Sequence, residues 1–234
     1  MFERALALDP RSVEAQSWLS MNLTTRVRAD MTDSPDADME RAEDLARQAL
    51  ATSPRSPLPH MAKGGVLRAH GRYDEALAEY ETVIALNRNW VAAYHHIGQC
   101  KLFTGSIEET IPFMEQAIRL SPHDYNICDF YHRIGLVHLL QSRTDEAIIW
   151  FEKARSANPA PAVIHAQLAS AYALKGETER AATELAEARK LSRDDRYSSI
   201  SCLKASQYFG VPKIRALFEA TYFSGLRLAG MPEE

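Results

Sequence analysis

Apolar and small residues recur along most of the chain at the spacing of an α-helix, in segments separated by turn residues. Between residues 57 and 90 they lie three or four apart twice over, at Met61, Gly64, Leu67 and then Tyr73, Ala76, Leu77, Tyr80, Val83 and Ile84. Residues at these spacings lie on one face of a helix. The pattern predicts two amphipathic helices that share one seam, with a turn at Gly71 between them.

This helix pair repeats along the chain. One series of small residues has spacings of 34, 34, 37 and 34, at Ala42, Ala76, Thr110, Ala147 and Ala181. A second series has spacings of 34, 37 and 34, at Gly64, Gly98, Gly135 and Ala169. Small residues are expected where the two helices of a pair cross, because a large side chain there would push them apart. Turn residues precede the second helices, at Gly71, Gly105, Ser142 and Gly176.

The register predicts five units, at 13–56, 57–90, 91–124, 125–161 and 162–195. Residues 29–38, including Asp30, form a polar insertion in the first unit. Residues 196–234 are predicted to form helices that cap the last exposed seam of the stack. Residues 1–12 are predicted to form only the second helix of a unit. We therefore expect the chain to be a fragment of a longer protein, with an apolar face at Phe2, Ala5 and Leu6 that can pair with a second copy.

The pattern resembles the tetratricopeptide repeat, a 34-residue helix-turn-helix unit. One matching unit contains Tyr94, Ile97, Gly98, Gly105, Met114, Ala117 and Pro122, and the next contains Tyr131, Ile134, Gly135, Ala147, Phe151, Ala154 and Pro159. The resemblance implies an all-α fold, a right-handed superhelical solenoid of helix pairs. Gln16, His60 and His165 replace the early aromatic residue of the repeat. We predict that the two histidines act as packing substitutes there.

Short sequence segments, most of them in the C-terminal region, also resemble a narrower group of proteins. Segments such as Ala220-Thr221-Tyr222-Phe223 and Asn89-Trp90-Val91-Ala92 are similar to the tetratricopeptide tails of bacterial adenylate or guanylate cyclase-like signalling proteins. This resemblance implies a regulatory or scaffolding tail, with a cyclase domain upstream.

Composition excludes several function classes. Hydrophobic residues make up 46% and charged residues 25% of 234 residues, which is typical of globular proteins in water. The net charge of -4 argues against a nucleic-acid partner. The longest stretch without Asp, Glu, Lys or Arg, residues 156–174, contains two prolines, so no membrane segment is predicted. The three cysteines have no disulfide or zinc spacing, which favours a reducing, cytoplasmic location.

No sequence motif for catalysis, a cofactor or a metal is present. The acidic pairs Glu108-Glu109, Asp145-Glu146 and Asp194-Asp195 lie near helix starts, where carboxylates interact favourably with the helix dipole. His95 and His132 share one repeat position. They could bridge a metal, but a pair of neutral imidazoles lining a groove is the preferred interpretation. We predict no enzyme, no cofactor and no metal site.

The family resemblance implies a concave groove formed by the first helices, in which a peptide lies. The register places thirteen residues in it: Met21, Leu58, Met61, Arg68, His95, Gln99, Leu102, Phe103, His132, Leu139, Leu140, Val163 and Leu174. The cationic clamp by which some members hold chaperone C-termini is missing. We predict a protein-interaction module that binds an apolar segment, possibly supplied by the parent chain. The alternative is an oligomerisation module that pairs the catalytic domains of its parent.

Overall fold

The computed structural model describes residues 1–29, 31–206 and 208–234, and in this part of the chain every regular element is a helix. Asp30, in the predicted insertion, and Gln207 lie outside the described residues. The described residues contain no strand, which confirms the predicted all-α class. The helices are α1 Phe2–Leu8, α2 Val13–Arg28, α3 Pro35–Thr52, α4 Pro57–Ala69, α5 Tyr73–Leu86, α6 Val91–Thr104, α7 Ile107–Leu120, α8 Ile127–Leu140, α9 Thr144–Ala157, α10 Ala162–Lys175, α11 Thr178–Leu191, α12 Ile200–Ser206, α13 Pro212–Phe218 and α14 Ser224–Leu228.

The chain divides into two compact units, and the boundary lies within α6. The N-terminal unit is residues 1–100 and the C-terminal unit is residues 101–234. Within the first, α2 packs against α3 and α4 against α5, while within the second α8 packs against α9 and α10 against α11. A 3-10 turn, Asp195–Tyr197, precedes α12, and a π-helical turn, Glu219–Phe223, joins α13 to α14.

The predicted turn residues all have left-handed backbone conformation. The φ angles are 73° at Gly71, 105° at Gly105, 60° at Ser142 and 86° at Gly176. Glycine adopts this conformation without the steric cost that a Cβ atom imposes. Ser142 is therefore the strained member of the series, and its helix pair closes in spite of that strain.

The close helix approach predicted from the small residues is present in both units. A Cβ atom on Gly64 would lie 2.6 Å from the ring of Tyr80, and one on Gly135 would lie 2.6 Å from the ring of Phe151. Both rings are fully buried. The glycine of the first helix thus leaves the space that the aromatic residue of the second helix fills, which confirms the physical reason for the repeat.

The early-aromatic position has a hydrogen-bonding role that the sequence analysis missed. Its side chains contact the carbonyl oxygen six residues earlier: Gln16 Nε2 contacts that of Pro10 at 2.9 Å, His60 Nε2 that of Pro54 at 3.0 Å, Tyr94 Oη that of Arg88 at 2.9 Å and His165 Nε2 that of Pro159 at 2.9 Å. These carbonyls lie in the turns that close the preceding units. The histidines are therefore more than packing substitutes, because they tie each turn to the next helix.

The same position also contacts the second helix of its own unit. His60 Nδ1 lies 2.6 Å from Glu79 Oε2, and His165 Nδ1 lies 2.6 Å from Glu184 Oε2. In the unit between 125 and 161 an aromatic pair, Tyr131 and Trp150, takes these places with ring centroids 5.7 Å apart. The two residues of each pair are 19 positions apart in the sequence. At equivalent positions, therefore, a histidine–glutamate contact joins the two helices in two units and an aromatic contact joins them in a third.

The end of the chain folds back over the inner helices of the C-terminal unit. We define the C-terminal segment as residues 208–231. Ser170 Oγ on α10 donates to the carbonyl of Tyr222 at 2.9 Å, and the amide of Val211 donates to the carbonyl of Phe103 at 3.0 Å. Phe209 lies in edge-to-face contact with Phe218 and Phe223, at centroid distances of 4.9 and 5.0 Å. The segment thus extends from α10 to the end of α6, farther than a cap on the last pair requires.

This arrangement explains the part of the uncharged stretch that lies in α10, whereas residues 156–160 before it are exposed. Residues 164–173 of α10 are all buried, because α9, α11, α14 and the π-helical turn surround the helix. A helix without a solvent-facing side has no position that favours a charge. Among the described helices, none combines the length and the hydrophobicity needed to cross a membrane.

Candidate functional site

The predicted groove residues of the N-terminal unit lie on the first helices α2, α4 and α6. Met21 is half-buried and packs at the edge of the hydrophobic core of this unit. The others are buried, at Leu58, Met61, Arg68, His95 and Gln99. The groove surface available to a ligand is therefore narrower than the sequence pattern predicts.

One face of α4 remains open between two of these side chains. Met61, Gly65 and Arg68 are four and three residues apart and form a stripe on this helix, here called the α4 stripe. A Cβ atom on Gly65 would have no neighbour within 4 Å, whereas one on the adjacent Gly64 would collide with Tyr80. The sequence offered two consecutive glycines, and only the structure separates the packing glycine from the one that faces free space.

Arg68 is the unusual member of the α4 stripe, because its side chain is only 8% exposed. Its Nη1 donates to Gln99 Oε1, and its interaction with the Tyr80 hydroxyl opposes the rise that burial causes in the pKa of Tyr80, while its Nε has no hydrogen-bond partner. Within the described residues no carboxylate lies within ion-pair distance of it. Buried charges are normally paired with an opposite charge, so a buried guanidinium whose partners are uncharged favours an anionic group from outside the chain.

The predicted groove residues of the C-terminal unit divide into two sets. Leu102, Leu139 and Leu140 are buried in the hydrophobic core, and their assignment to an open groove is wrong. For the two leucines of α8 the physical reason is that this helix is packed against α7, α9 and the π-helical turn, so most of its apolar face points into the protein. Phe103, Val163 and Leu174 are half-buried, and His132 is buried.

The C-terminal segment covers the inner face that the remaining residues form. Phe103 has its ring 5.8 Å from that of Tyr208, and Val163 packs at the edge of the core to which the segment contributes Phe209 and Phe218. The sequence predicts a groove that binds an apolar segment, and the parent chain is one predicted source of that segment. Here the chain's own end lies along α8 and α10, and an extended peptide would have to displace it.

The candidate carboxylates take part in ion pairs and hydrogen bonds, and the two candidate histidines lie on different helices. His95 and His132 belong to different units, and no group of three potential metal ligands is found within the described residues. Lys101 Nζ lies 2.9 Å from Glu109 Oε2, and Lys175 Nζ lies 2.9 Å from Asp145 Oδ1. These carboxylates at helix starts form surface ion pairs. Hydrogen bonds from Arg196 hold the pKa of Asp194 far below its usual range.

A surface that the sequence analysis did not consider lies on the other side of the N-terminal unit. A cavity of about 460 Å³ opens between α3, α4 and the start of α5. Its floor is apolar, with Ala46, Leu50, Val66 and Leu67, and charged side chains such as Arg47 surround it. These residues come from three helices. Helical periodicity alone therefore could not group them, because the grouping depends on how the helix pairs pack together.

Comparisons with known proteins agree with the helix pairs. Family models described as tetratricopeptide repeat match residues 37–90, 91–124 and 129–161, together more than half of the chain. A comparison with curated protein sequences gives no significant match.

Among solved structures, Pseudomonas aeruginosa pilF is 17% identical with a TM-score of 0.66, and 90% of each chain is covered. YrrB, a repeat protein with an unusual peptide-binding site, is 17% identical with a TM-score of 0.54, covering 88% of this chain and 98% of YrrB. A chain of the APC/C complex Cut9-Hcn1 is 16% identical with a TM-score of 0.73, covering 88% of this chain and 38% of that one. At such identities the likeness shows the fold alone.

Proposed function

The chain belongs to the tetratricopeptide repeat family, and from this premise we propose that it is an interaction module that binds a peptide segment of a partner protein along the α4 stripe. Domains of this family are in general non-catalytic interaction modules. The observation that carries the proposal is the open space at Gly65, flanked by an apolar side chain, Met61, and a buried cation, Arg68. The peptide-binding activity in the description of YrrB agrees with this choice.

The chemistry of the stripe defines the ligand more narrowly than the sequence does. The half-buried Met21 offers flexible apolar surface, and the buried Met61 gives the space at Gly65 an apolar edge, which suits an aliphatic or aromatic side chain. Arg68 lacks an anionic partner in the described part of the chain, so a carboxylate on the ligand would supply one. We expect a peptide that carries an apolar anchor next to an acidic residue.

Filling the space at Gly65 tests the proposal. Peptides are first selected on the unmodified protein from a random displayed library, and their affinities are measured by fluorescence anisotropy. Gly65→Trp is expected to weaken the selected peptides by about tenfold or more, because the indole would occupy the site while the packing around Gly64 is untouched. Arg68→Met is expected to weaken only those peptides that carry an acidic residue.

The control places the same side chain on the outer helix of the same pair. Ala78→Trp on α5 is exposed and should leave peptide affinities within about twofold of the unmodified protein. Circular dichroism should give the same helical signal for all variants. Equal binding by Gly65→Trp and the unmodified protein would show that the peptides bind another surface.

A second candidate function, self-association, is favoured by the N-terminal helix. No residue of α1 is buried, and Leu8 is 90% exposed. Phe2 stacks on Trp18 at a centroid distance of 6.3 Å, and the indole of Trp18 remains about half exposed. Phe2 and Leu6, which the sequence predicts to be open for pairing, pack at the edge of the core. The exposed apolar side chains are Leu8 and Trp18, and such side chains support contacts between copies.

Sedimentation equilibrium over a range of concentrations checks this candidate. Leu8→Glu is expected to shift the protein toward the monomer, because a carboxylate placed in an apolar contact is costly to desolvate. Leu228→Glu is the matched control, since Leu228 is 61% exposed on the C-terminal unit. A monomer at all concentrations before any substitution would exclude pairing through α1.

The similarity of the C-terminal sequence to cyclase-like signalling proteins supports one broader proposal. We infer a scaffolding tail of a cytoplasmic bacterial signalling protein. The comparisons give no relative that bears on the parent, so this placement stays a prediction from the sequence. The gene sequence upstream of these residues tests this placement: a nucleotide-cyclase domain there would support it.

A further inference from the structure

A cavity of about 240 Å³ lies in the C-terminal unit, between α8, α10 and the C-terminal segment. Its lining includes the aromatic side chains of Phe103, Tyr208, Phe209 and Tyr222, and the polar side chains of His132 and Gln167. This volume is below the range of about 300–1,000 Å³ that is typical of sites for drug-sized ligands. Because the C-terminal segment already covers this face, the remaining space suits a single-ring compound and not a peptide strand.

Four of the residues that line the cavity carry a buried polar atom without a hydrogen-bond partner. These atoms are His132 Nε2, Arg133 Nε, Gln167 Oε1 and Tyr222 Oη. Arg133 Nε lies 3.7 Å from Asp129 Oδ1, which is too long for a hydrogen bond. Buried polar groups in native proteins are almost always hydrogen-bonded, so four unpaired atoms around one cavity indicate a site for a polar ligand.

The unpaired atoms offer both hydrogen-bond donors and acceptors. His132 Nδ1 lies 3.1 Å from Asp129 Oδ1 and donates to it, and burial lowers the pKa of His132, so its Nε2 is an acceptor. The Gln167 side chain lies near His132 and acts against the lowering of its pKa, but no hydrogen bond of normal geometry joins the two, so Gln167 Oε1 is a second acceptor. Burial raises the pKa of Tyr222 well above its usual value, so its hydroxyl stays protonated and donates, as does Arg133 Nε.

The charges that line the cavity are compensated within the protein. Asp129 lies beside Arg133 and His132, and Arg196 Nη2 lies 2.6 Å from Asp194 Oδ2. A charged ligand would enter without an uncompensated opposite charge to meet it, and would lose its hydration. An uncharged ligand with both donors and acceptors has the complementary chemistry.

We propose that this cavity binds an uncharged, planar single-ring compound that bears an amide-type group, which both donates and accepts hydrogen bonds. The aromatic side chains would contact the faces of the ring, while the amide group would supply partners for the unpaired polar atoms of α8 and the π-helical turn. This site is separate from the α4 stripe, and it does not depend on peptide binding there.

Three compounds of nearly the same shape test the proposal: benzamide, benzoate and benzamidinium. Binding to the full chain is measured by protein-observed NMR. Benzamide is expected to bind with a Kd on the order of 1 mM or tighter, as a ligand of this size allows. Benzoate and benzamidinium are expected to bind at least about tenfold more weakly, because each adds a charge without a partner.

Two tyrosine variants locate the binding. Tyr222→Phe removes one unpaired hydroxyl that lines the cavity and should weaken benzamide by about tenfold, while the fold stays intact because the ring is kept. Tyr80→Phe is the matched control, since Tyr80 is also fully buried, in the N-terminal unit, and does not line this cavity. Absence of benzamide binding, binding of a charged analogue as tightly as benzamide, or equal affinity of Tyr222→Phe and the unmodified protein would each overturn the proposal.

Discussion

Replacing Gly225 with alanine is expected to destabilise the C-terminal unit by about 3 kcal/mol or more, a larger effect than a single added methyl group usually has. The added Cβ would lie 2.2 Å from Ser170 Oγ and 2.5 Å from the carbonyl oxygen of Ser170. The backbone of α10 has no room to move away, because the helix is buried on all sides. The hydrogen bond from Ser170 to the carbonyl of Tyr222 would be lost as well.

Hydrogen exchange measured by mass spectrometry checks this expectation. In Gly225→Ala, amides of α10 and of the C-terminal segment should lose protection, while those of α4 and α5 should keep it. Gly65→Ala is the matched control: it adds the same methyl group to a helix where no atom lies within 4 Å, and should raise stability by about 0.5–1 kcal/mol. Unchanged protection in Gly225→Ala would mean that α14 is not packed closely on α10.

Replacing Glu184 with alanine is expected to destabilise the C-terminal unit by about 2–4 kcal/mol. Glu184 is buried on α11, and it accepts hydrogen bonds from Arg155 on α9 and from His165 Nδ1 at 2.6 Å. His165 is also buried, and its Nε2 lies 2.9 Å from the carbonyl oxygen of Pro159. Removing the carboxylate leaves His165 Nδ1 and Arg155 Nη1 without their acceptor, although Arg155 is partly exposed and keeps its ion pair with Glu152.

Urea denaturation followed by circular dichroism measures the loss. Glu179→Ala on the same helix is exposed and should change stability by no more than about 0.5 kcal/mol. Glu79→Ala removes the equivalent carboxylate of the N-terminal unit, where Lys63 is more exposed than Arg155, so we expect an intermediate loss. If Glu184→Ala and Glu179→Ala proved equally stable, the buried pair would contribute nothing to the unit.

The sequence by itself determined the helices, the turns between them and the residues at which paired helices cross. These features depend on interactions within some twenty residues, and such interactions leave a periodic trace in the sequence. Gly71 and Gly176 have the left-handed conformation expected of them, and Gly64 makes room for Tyr80 as the small-residue series predicts. A hydrogen-bonding role for His60 and His165 was also within reach, because each is followed 19 residues later by a glutamate.

The tertiary structure alone decided which apolar residues of the first helices remain accessible. Leu139 and Met61 both lie on faces that the repeat register assigns to the groove, and both are buried. Leu139 is buried because α7, α9 and the π-helical turn pack on α8. The contacts that hold the C-terminal segment on the C-terminal unit, from Val211 to Phe103 and from Ser170 to Tyr222, join residues far apart in sequence, and no local period encodes them. Burial of α10 by α9, α11 and the C-terminal segment leaves residues 164–173 without a solvent-facing position for a charge, and this absence of charge is the trace that the segment's position leaves in the sequence.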